Sequence, residues 1–406
     1  MKKILCLVLA LAMLLSFAAC GGDNNANGDS ATTPQVSVSE IKVGLICLHD
    51  ENSTYDNNFI QALKEVKANL GLNDDQVLIK TNVGEDNACY EAAAELADAG
   101  CNIVFADSFG HETYMIQAAE EFPEVQFCHA TGTKSKTQGL SNYHNAFASI
   151  YEGRYLAGVA AGMKLNEMIT EGKITAEQAV IGYVGAFDYA EVVSGMTSFF
   201  LGARSICETA TMKVIYTNSW FDIAKEKEAA LRLINSGCAL ISQHADSEGA
   251  PKACEEKGVP NIAYNISTIS MGPNTALISS KIDWSVYFKL AILAVAKGEA
   301  FATDYCGTMK EGAVKLTELN DKVAAAGTQE KIDEIKAKLE SGEIKVFDTK
   351  TFTVNGAELT EYLADVIDEG DFKPETNAIE NGEFAESSKR SAPYFDIKYI
   401  DGISNL

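Results

Sequence analysis

The chain has 406 residues, with 57 acidic side chains against 33 basic ones and a formal charge of −24. Such a charge repels nucleic-acid phosphates and favours solubility outside the cell, so a nucleic-acid polymer is excluded as a partner. An ordinary solvated surface carries acidity too, so the charge names no ligand by itself. The length suits two lobes.

Lys2 and Lys3 precede an apolar run from Ile4 to Leu15 and then Ser16-Phe17-Ala18-Ala19-Cys20. This is the layout of a secretory signal, and the run is too short to span a bilayer. A cysteine directly after Ala18-Ala19 resembles the lipobox of bacterial lipoproteins, which implies loss of residues 1–19 and diacylation of Cys20. Two acyl chains make a stable membrane anchor where one does not. Residues 20–40, rich in Gly, Asn, Asp, Ser and Thr, bury too little apolar surface to order themselves and read as a flexible tether. The expected place is therefore the cell membrane, lipid-anchored and facing the extracytoplasmic side, with a mature charge of −26 once two lysines are lost.

From Ile41 short apolar runs alternate with helix-period segments, the pattern of a parallel sheet built from βαβ units. Strands are predicted at Ile41–Leu48, Val77–Lys80, Ile103–Ala106 and Val125–His129. Between them lie a helix carrying Phe59, Leu63, Val66 and Leu70 and stopped by Gly71, then helices at Glu91–Ala99 and Thr113–Glu121. A long helix from Tyr151 to about Met168 opens a second series, with strands at Val180–Val184, Lys213–Tyr216, Leu240–Gln243 and Asn261–Tyr264. Its helices are Glu191–Ile206, Ile223–Asn235 and Ser247–Lys257. Next come a helix from Trp284 to about Lys297, one more within Gly307–Gly342, and a strand at Ile344–Phe347. The remainder is polar, acidic and irregular up to Ala392–Ile397. The pattern is an α/β fold with two comparable halves, each with helices on both faces of a sheet.

Eight of the ten cysteines remain once Cys6 and Cys20 are set aside. Cys47, Cys101, Cys128, Cys207, Cys238 and Cys306 lie in or beside apolar runs without any CxxC pair, and read as buried fillers rather than zinc ligands or disulfides. No GxSxG, HExxH, P-loop or GxGxxG segment occurs, and His49, His111, His129, His144 and His244 show no metal-ligand spacing. No enzymatic activity, metal or cofactor is expected.

In open α/β sheets ligands sit beyond the carboxyl ends of the strands. Polar or aromatic residues recur there: His49, Asp50, Asn52 and Tyr55 after the first strand, Asp107, Ser108 and Phe109 after the third, His129 and Thr131 after the fourth. In the second half Phe187 and Asp188 follow one strand and Trp220, Phe221 and Asp222 the next; His244, Asp246 and Ser247, and then Asn265, follow the last two. The candidate ligand contacts are Tyr55, Ser108, Phe109, His129, Phe187, Trp220, Asp222, His244, Asp246, Asn265 and Trp284. Trp220 offers the largest flat apolar surface and reads as a stacking platform, with a core tryptophan as the alternative. Asp222 suits a helix N-cap equally well, Trp284 suits packing at a hinge, and His244 and Asp246 can satisfy each other.

The segments Val104–Gly110, Tyr151–Gly162, Thr217–Asp222 with Lys225–Ala230 and Gln243–Ser247, taken in this order, resemble the basic membrane protein family of substrate-binding lipoproteins, which include purine nucleoside receptors, and Ser391–Asp396 looks like a tail seen in one branch of it. The resemblance implies a periplasmic-binding-protein type I fold: two Rossmann-like lobes joined by three crossovers, with the ligand in the cleft between them. It also implies a base held between aromatic side chains, with carboxylates, amides or a lysine fixing its edge and any ribose. Trp220 falls where the family places a stacking aromatic. The chain departs from the family at Asn52-Ser53-Thr54-Tyr55, which leaves the opposite wall to Tyr55 or Phe109, and at Asn265, where an aspartate is common. An amide in that place weakens the case for a ribose diol.

The first lobe is expected over 41–146 plus 283–306 and the second over 147–282 plus 307–406. The expected function is solute capture for an ABC importer, with a purine base or nucleoside as ligand and permease and ATPase subunits as partners. The alternatives are a sensing lipoprotein that feeds a signalling receptor, a binder of another small solute, and a lipid-anchored nucleoside hydrolase.

Overall fold

The computed structural model describes residues 35–406. The expected leader, the Cys20 anchor and most of the tether lie outside the described residues. Where the described chain begins, the Val36 N–H donates to the Ala296 carbonyl at 3.2 Å.

The first half runs β1 (Val43–Ile46), α1 (Thr54–Leu70), β2 (Val77–Lys80), α2 (Asn87–Asp98), β3 (Ile103–Ala106), α3 (Glu112–Glu121), β4 (Gln126–Ala130), the single turn α4 (Ser135–Gln138) and β5 (Tyr143–Ala148). The second half runs α5 (Ile150–Thr170), β6 (Val180–Gly185), α6 (Ala190–Ile206), β7 (Thr211–Tyr216), α7 (Ile223–Asn235), β8 (Leu240–His244), α8 (Gly249–Lys257), β9 (Asn261–Tyr264) and β10 (Ala276–Ile282). Then follow α9 (Trp284–Lys297), β11 (Asp304–Gly307), β12 (Val314–Leu316) and α10 (Thr328–Glu340). The C-terminal segment adds only short pieces, β13 (Leu363–Ala364), β14 (Thr376–Asn377), β15 (Ile379–Glu380), β16 (Glu383–Phe384) and β17 (Ile403–Asn405).

Two sheets result. The first has the order β11-β5-β4-β3-β1-β2 and is parallel throughout. The second has the order β12-β10-β9-β8-β6-β7-β17 and is parallel except for β12 on β10. The chain passes between the sheets three times: after β5, after β10 and after β11. β1, β3 and β9 are buried at every residue, as strands covered by helices on both faces must be.

Local chemistry fixes the helix ends. Ser53 caps α1 by accepting the Asp56 N–H, and Gly71 ends it in the left-handed region at φ 69°, where a side chain would be strained. Asp222 caps α7 and Asp283 caps α9 in the same way as Ser53. α5 and α6 lie so close that a Cβ at Gly158 would sit 2.0 Å from the Phe199 carbonyl oxygen, and one at Gly202 would sit 2.0 Å from that of Tyr155.

The expected strand at Ile344–Phe347 is a loop instead. Its apolar side chains pin it down rather than pairing it: Val346 and Phe347 are buried, and the Phe347 ring stacks on Phe395 at 4.6 Å. The C-terminal segment is likewise fastened to the second lobe by the Arg204 guanidinium, which donates to the carbonyls of Asp401 and Thr351, and by β17 on β7. It also reaches the first lobe. The Thr133 hydroxyl donates to the Asp368 carboxylate at 2.5 Å, Lys136 Nζ donates to the Lys389 carbonyl at 2.6 Å, and the Ser391 N–H donates to the Asp304 carboxylate at 3.1 Å. All eight cysteines among the described residues are free, and only Cys306 is not fully buried. No helix among the described residues is long and apolar enough to cross a membrane.

Candidate functional site

The carboxyl ends of β1, β3 and β4 face those of β6, β7 and β8, and a narrow cleft lies between them, its space of about 380 Å³ partly open to solvent. The first lobe contributes Leu48 and His49 after β1, Tyr55 and Asp56 from the first turn of α1, Ser108 and Phe109 after β3, and Thr131 after β4. From the second lobe come Glu191 in the first turn of α6, Trp220 after β7, His244 at the end of β8 and Asp246 just beyond it. The lobes touch across this space. The Thr54 N–H donates to the Asp246 carbonyl at 2.8 Å, and the His49 ring lies 5.2 Å from that of Phe221.

Three carboxyl groups line the cavity, and no lysine or arginine among the described residues does. Their environments differ. Burial raises the pKa of Asp56, but the His49 imidazole, the His49 backbone N–H at 2.7 Å and the Ser53 hydroxyl at 2.5 Å, all bonded to it, outweigh burial and hold this carboxyl below the usual range. Burial drives Asp246 well above the usual range, and the neighbouring Glu226, Asp56 and Glu191 add to the shift. A neutral Asp246 both donates and accepts, whereas an ionised Asp56 only accepts. Burial holds His244 below its ordinary value against the pull of Glu191, whose carboxylate lies 3.6 Å from Nε2. His244 Nδ1 has no hydrogen-bond partner among the described residues.

Beneath the floor, ligand-capable atoms of Cys47, Asp56 and Asp107 lie within 4.8 Å of one another. Burial first, and the neighbouring carboxylates next, raise the thiol and the Asp107 carboxyl well above their ordinary values. The trio forms a buried thiol–carboxyl network under the site. Asp107 also fixes the wall: its Oδ1 accepts the Leu48 N–H at 3.1 Å and its carbonyl accepts the Tyr55 hydroxyl at 2.8 Å.

Six of the eleven candidates from the sequence come together around the cavity: Tyr55, Ser108, Phe109, Trp220, His244 and Asp246. The other five do not line it. Phe187 stands behind the indole, 5.0 Å away and edge-on, and stacks on Tyr189 at 4.9 Å. Asp222 is spent on its N-cap and on Lys225. Asn265 is buried and donates to Asp246 at 3.2 Å, so it orients that carboxyl from behind. His129 is buried and bonded to the Ser108 carbonyl at 2.6 Å. Trp284 belongs to the core at the start of α9, stacked on Phe59 at 4.3 Å; the helix turns it away from the cleft. The candidate set lacked Leu48, His49, Asp56, Thr131 and Glu191. His49 and Thr131 follow strands; Asp56 and Glu191 sit in the first turn of a following helix, a position the strand-end rule passes over.

A profile of the family described as ABC transporter substrate-binding protein PnrA-like, or Bmp, matches residues 47–350. A purine-binding protein of Brucella abortus is 33% identical over 314 residues, covering 76% of this chain and 83% of that one. A putative ABC transporter glucose-binding protein of Haloferax volcanii is 34% identical over 249 residues, covering 59% and 60% of the two chains. Among solved structures, an ABC transporter solute-binding protein of Conexibacter woesei superposes with a TM-score of 0.62 at 20% identity, covering 75% of this chain and 98% of that one. The two-lobed parallel fold is thus that of periplasmic-binding-protein type I solute binders, and the chain belongs to the PnrA-like family of ABC transporter substrate-binding proteins.

Proposed function

We propose that the protein binds a purine base or purine nucleoside in the interlobe cleft and delivers it to the permease and ATPase of an importer. The observation that carries this reading is a cavity with aromatic walls, Trp220 against Phe109 and Tyr55, whose polar groups are carboxyl, imidazole and hydroxyl without a basic side chain. A flat heteroaromatic ring stacks on such walls. Its edge carries donors for Asp56 and acceptors for a protonated Asp246. The name of the Brucella relative supports the same ligand class. A hexose is the second reading, favoured by the name of the Haloferax relative.

A thermal-shift series with adenine, guanine, adenosine, guanosine, cytidine, glucose and leucine separates the two. A ligand at a hundred times its Kd stabilises by about 2.7 kcal/mol. Stabilisation by purines alone is expected; a shift with glucose and none with purines overturns the purine reading. The anchoring at Cys20 belongs to the same proposal. Labelled palmitate fed to expressing cells is expected to enter the protein and to be lost in Cys20→Ala, which then appears in the medium or periplasm; an unlabelled wild type overturns the anchor.

A further inference from the structure

The cavity does not end at its aromatic walls. Phe109, Thr131, Glu191 and Trp220 also line a wider outer chamber of about 1120 Å³, part of it continuous with solvent. Its far wall is the C-terminal segment. That segment lies beyond the family match, which stops at residue 350, and the Conexibacter structure is spanned almost whole by 75% of this chain. The outer wall is therefore additional to the shared two-lobed body.

It is a built wall. Arg390, Ala392 and Tyr394 are buried, and the Arg390 guanidinium donates to the carbonyls of Val366, Ala392 and Pro393, which folds the segment around it. Five carboxylates line the chamber against two cationic side chains, and one of those, Lys398, is already paired with Asp188. Asp365 Oδ1 has no hydrogen-bond partner among the described residues, and Asp396 uses only Oδ1, to accept the Tyr362 hydroxyl at 2.6 Å. Carboxylates in their ionised form accept hydrogen bonds and donate none, so what they hold must bring donors, and their excess over the two cations disfavours a phosphate.

We propose that the outer chamber is a second ligand subsite, which receives a hydroxyl-rich or cationic extension of the bound ring and turns away a phosphate. On the purine reading, on which this rests, the protein selects nucleosides over free bases and over nucleotides. Asn265 does not oppose a ribose, because its amide serves Asp246 and lies outside both chambers.

Calorimetric titration of the mature chain with adenine, adenosine and adenosine 5′-monophosphate tests this, together with Asp365→Asn and the double variant Asp365→Asn/Asp396→Asn. Adenosine is expected to bind about tenfold tighter than adenine, and the monophosphate more weakly than adenosine. In the variants the adenosine-to-adenine ratio shrinks and the penalty on the monophosphate falls. Asp365→Asn touches no internal hydrogen bond of its unpartnered oxygen, so it remains informative if the double variant melts early. Equal affinity for adenine and adenosine, or a ratio that the variants leave intact, overturns the outer subsite alone. Failure of all three compounds to bind overturns the purine reading and this subsite with it.

Discussion

Trp220 is held in place without using its own polar atom. Its backbone carbonyl accepts the Asp246 N–H at 2.9 Å, and its ring rests edge-on against Phe187 and Tyr189. A ring fixed this way presents its surface to a ligand at little further ordering cost. Trp220→Ala is expected to weaken purine binding by about 1–3 kcal/mol, the range for one base on one aromatic platform, and also to lower the melting point of the ligand-free protein, because the indole packs on Phe187 and Tyr189. Titration of the variant decides it; undiminished affinity removes Trp220 from the site.

Titration of buried groups gives a second expectation at the same scale. Burial pushes Glu226 up to about 7 and Glu386 up to about 8, and pushes His111 and His144 down to about 4. A carboxyl that holds its proton more tightly when folded loses stability as pH rises from the ordinary carboxylate range to its folded pKa. A histidine held neutral acts the other way, and its effect is spent above about 6.5, the ordinary imidazole value. Between about 6.5 and 8 only the carboxyl effect remains among these four groups, so the melting point is expected to fall over that interval. Glu386→Gln mimics the protonated form and should flatten the fall; a melting point that rises from pH 6.5 to 8 contradicts the assignment.

Among the elements, the pairing of α5 with α6 is the least tolerant. Both helices are largely buried, and Gly158 and Gly202 bring backbone against backbone across the contact. Gly158→Ala is expected to cost at least ~1–3 kcal/mol by overpacking, read as a lower denaturation midpoint. The same helices were legible in the sequence because their length and composition have no strand counterpart. Short apolar strands such as β2, β3 and β9 were legible too, residue for residue. Strand β5 and the edge strand β11 beside it were not: β5 carries His144 and Asn145, and β11 begins at Asp304, so neither shows a long apolar run. The opposite error at Ile344–Phe347 has the same root. Apolar alternation marks burial, and Phe347 is buried by Phe395 rather than by a neighbouring strand. In the site, residues just after strands were found because the fold aims them, whereas Asp56 and Glu191 act from the helices that follow.

At the scale of the whole molecule, the C-terminal segment touches both lobes with unequal grip. Stacked aromatics and a sheet pairing hold it to the second lobe, and a few polar contacts hold it to the first. Hinge opening of a two-lobed binder separates the lobes, so the weaker side must let go first. The Ser391 amide, bonded to Asp304 of the first lobe, is then a built-in clock for that separation. Its hydrogen exchanges with deuterium when the lobes part, while the amides of β17 wait for the second sheet to fray. Saturating ligand is expected to slow exchange around Ser391 and to leave Ile403–Asn405 unchanged; equal slowing at both places would mean that the segment and the second lobe breathe as one.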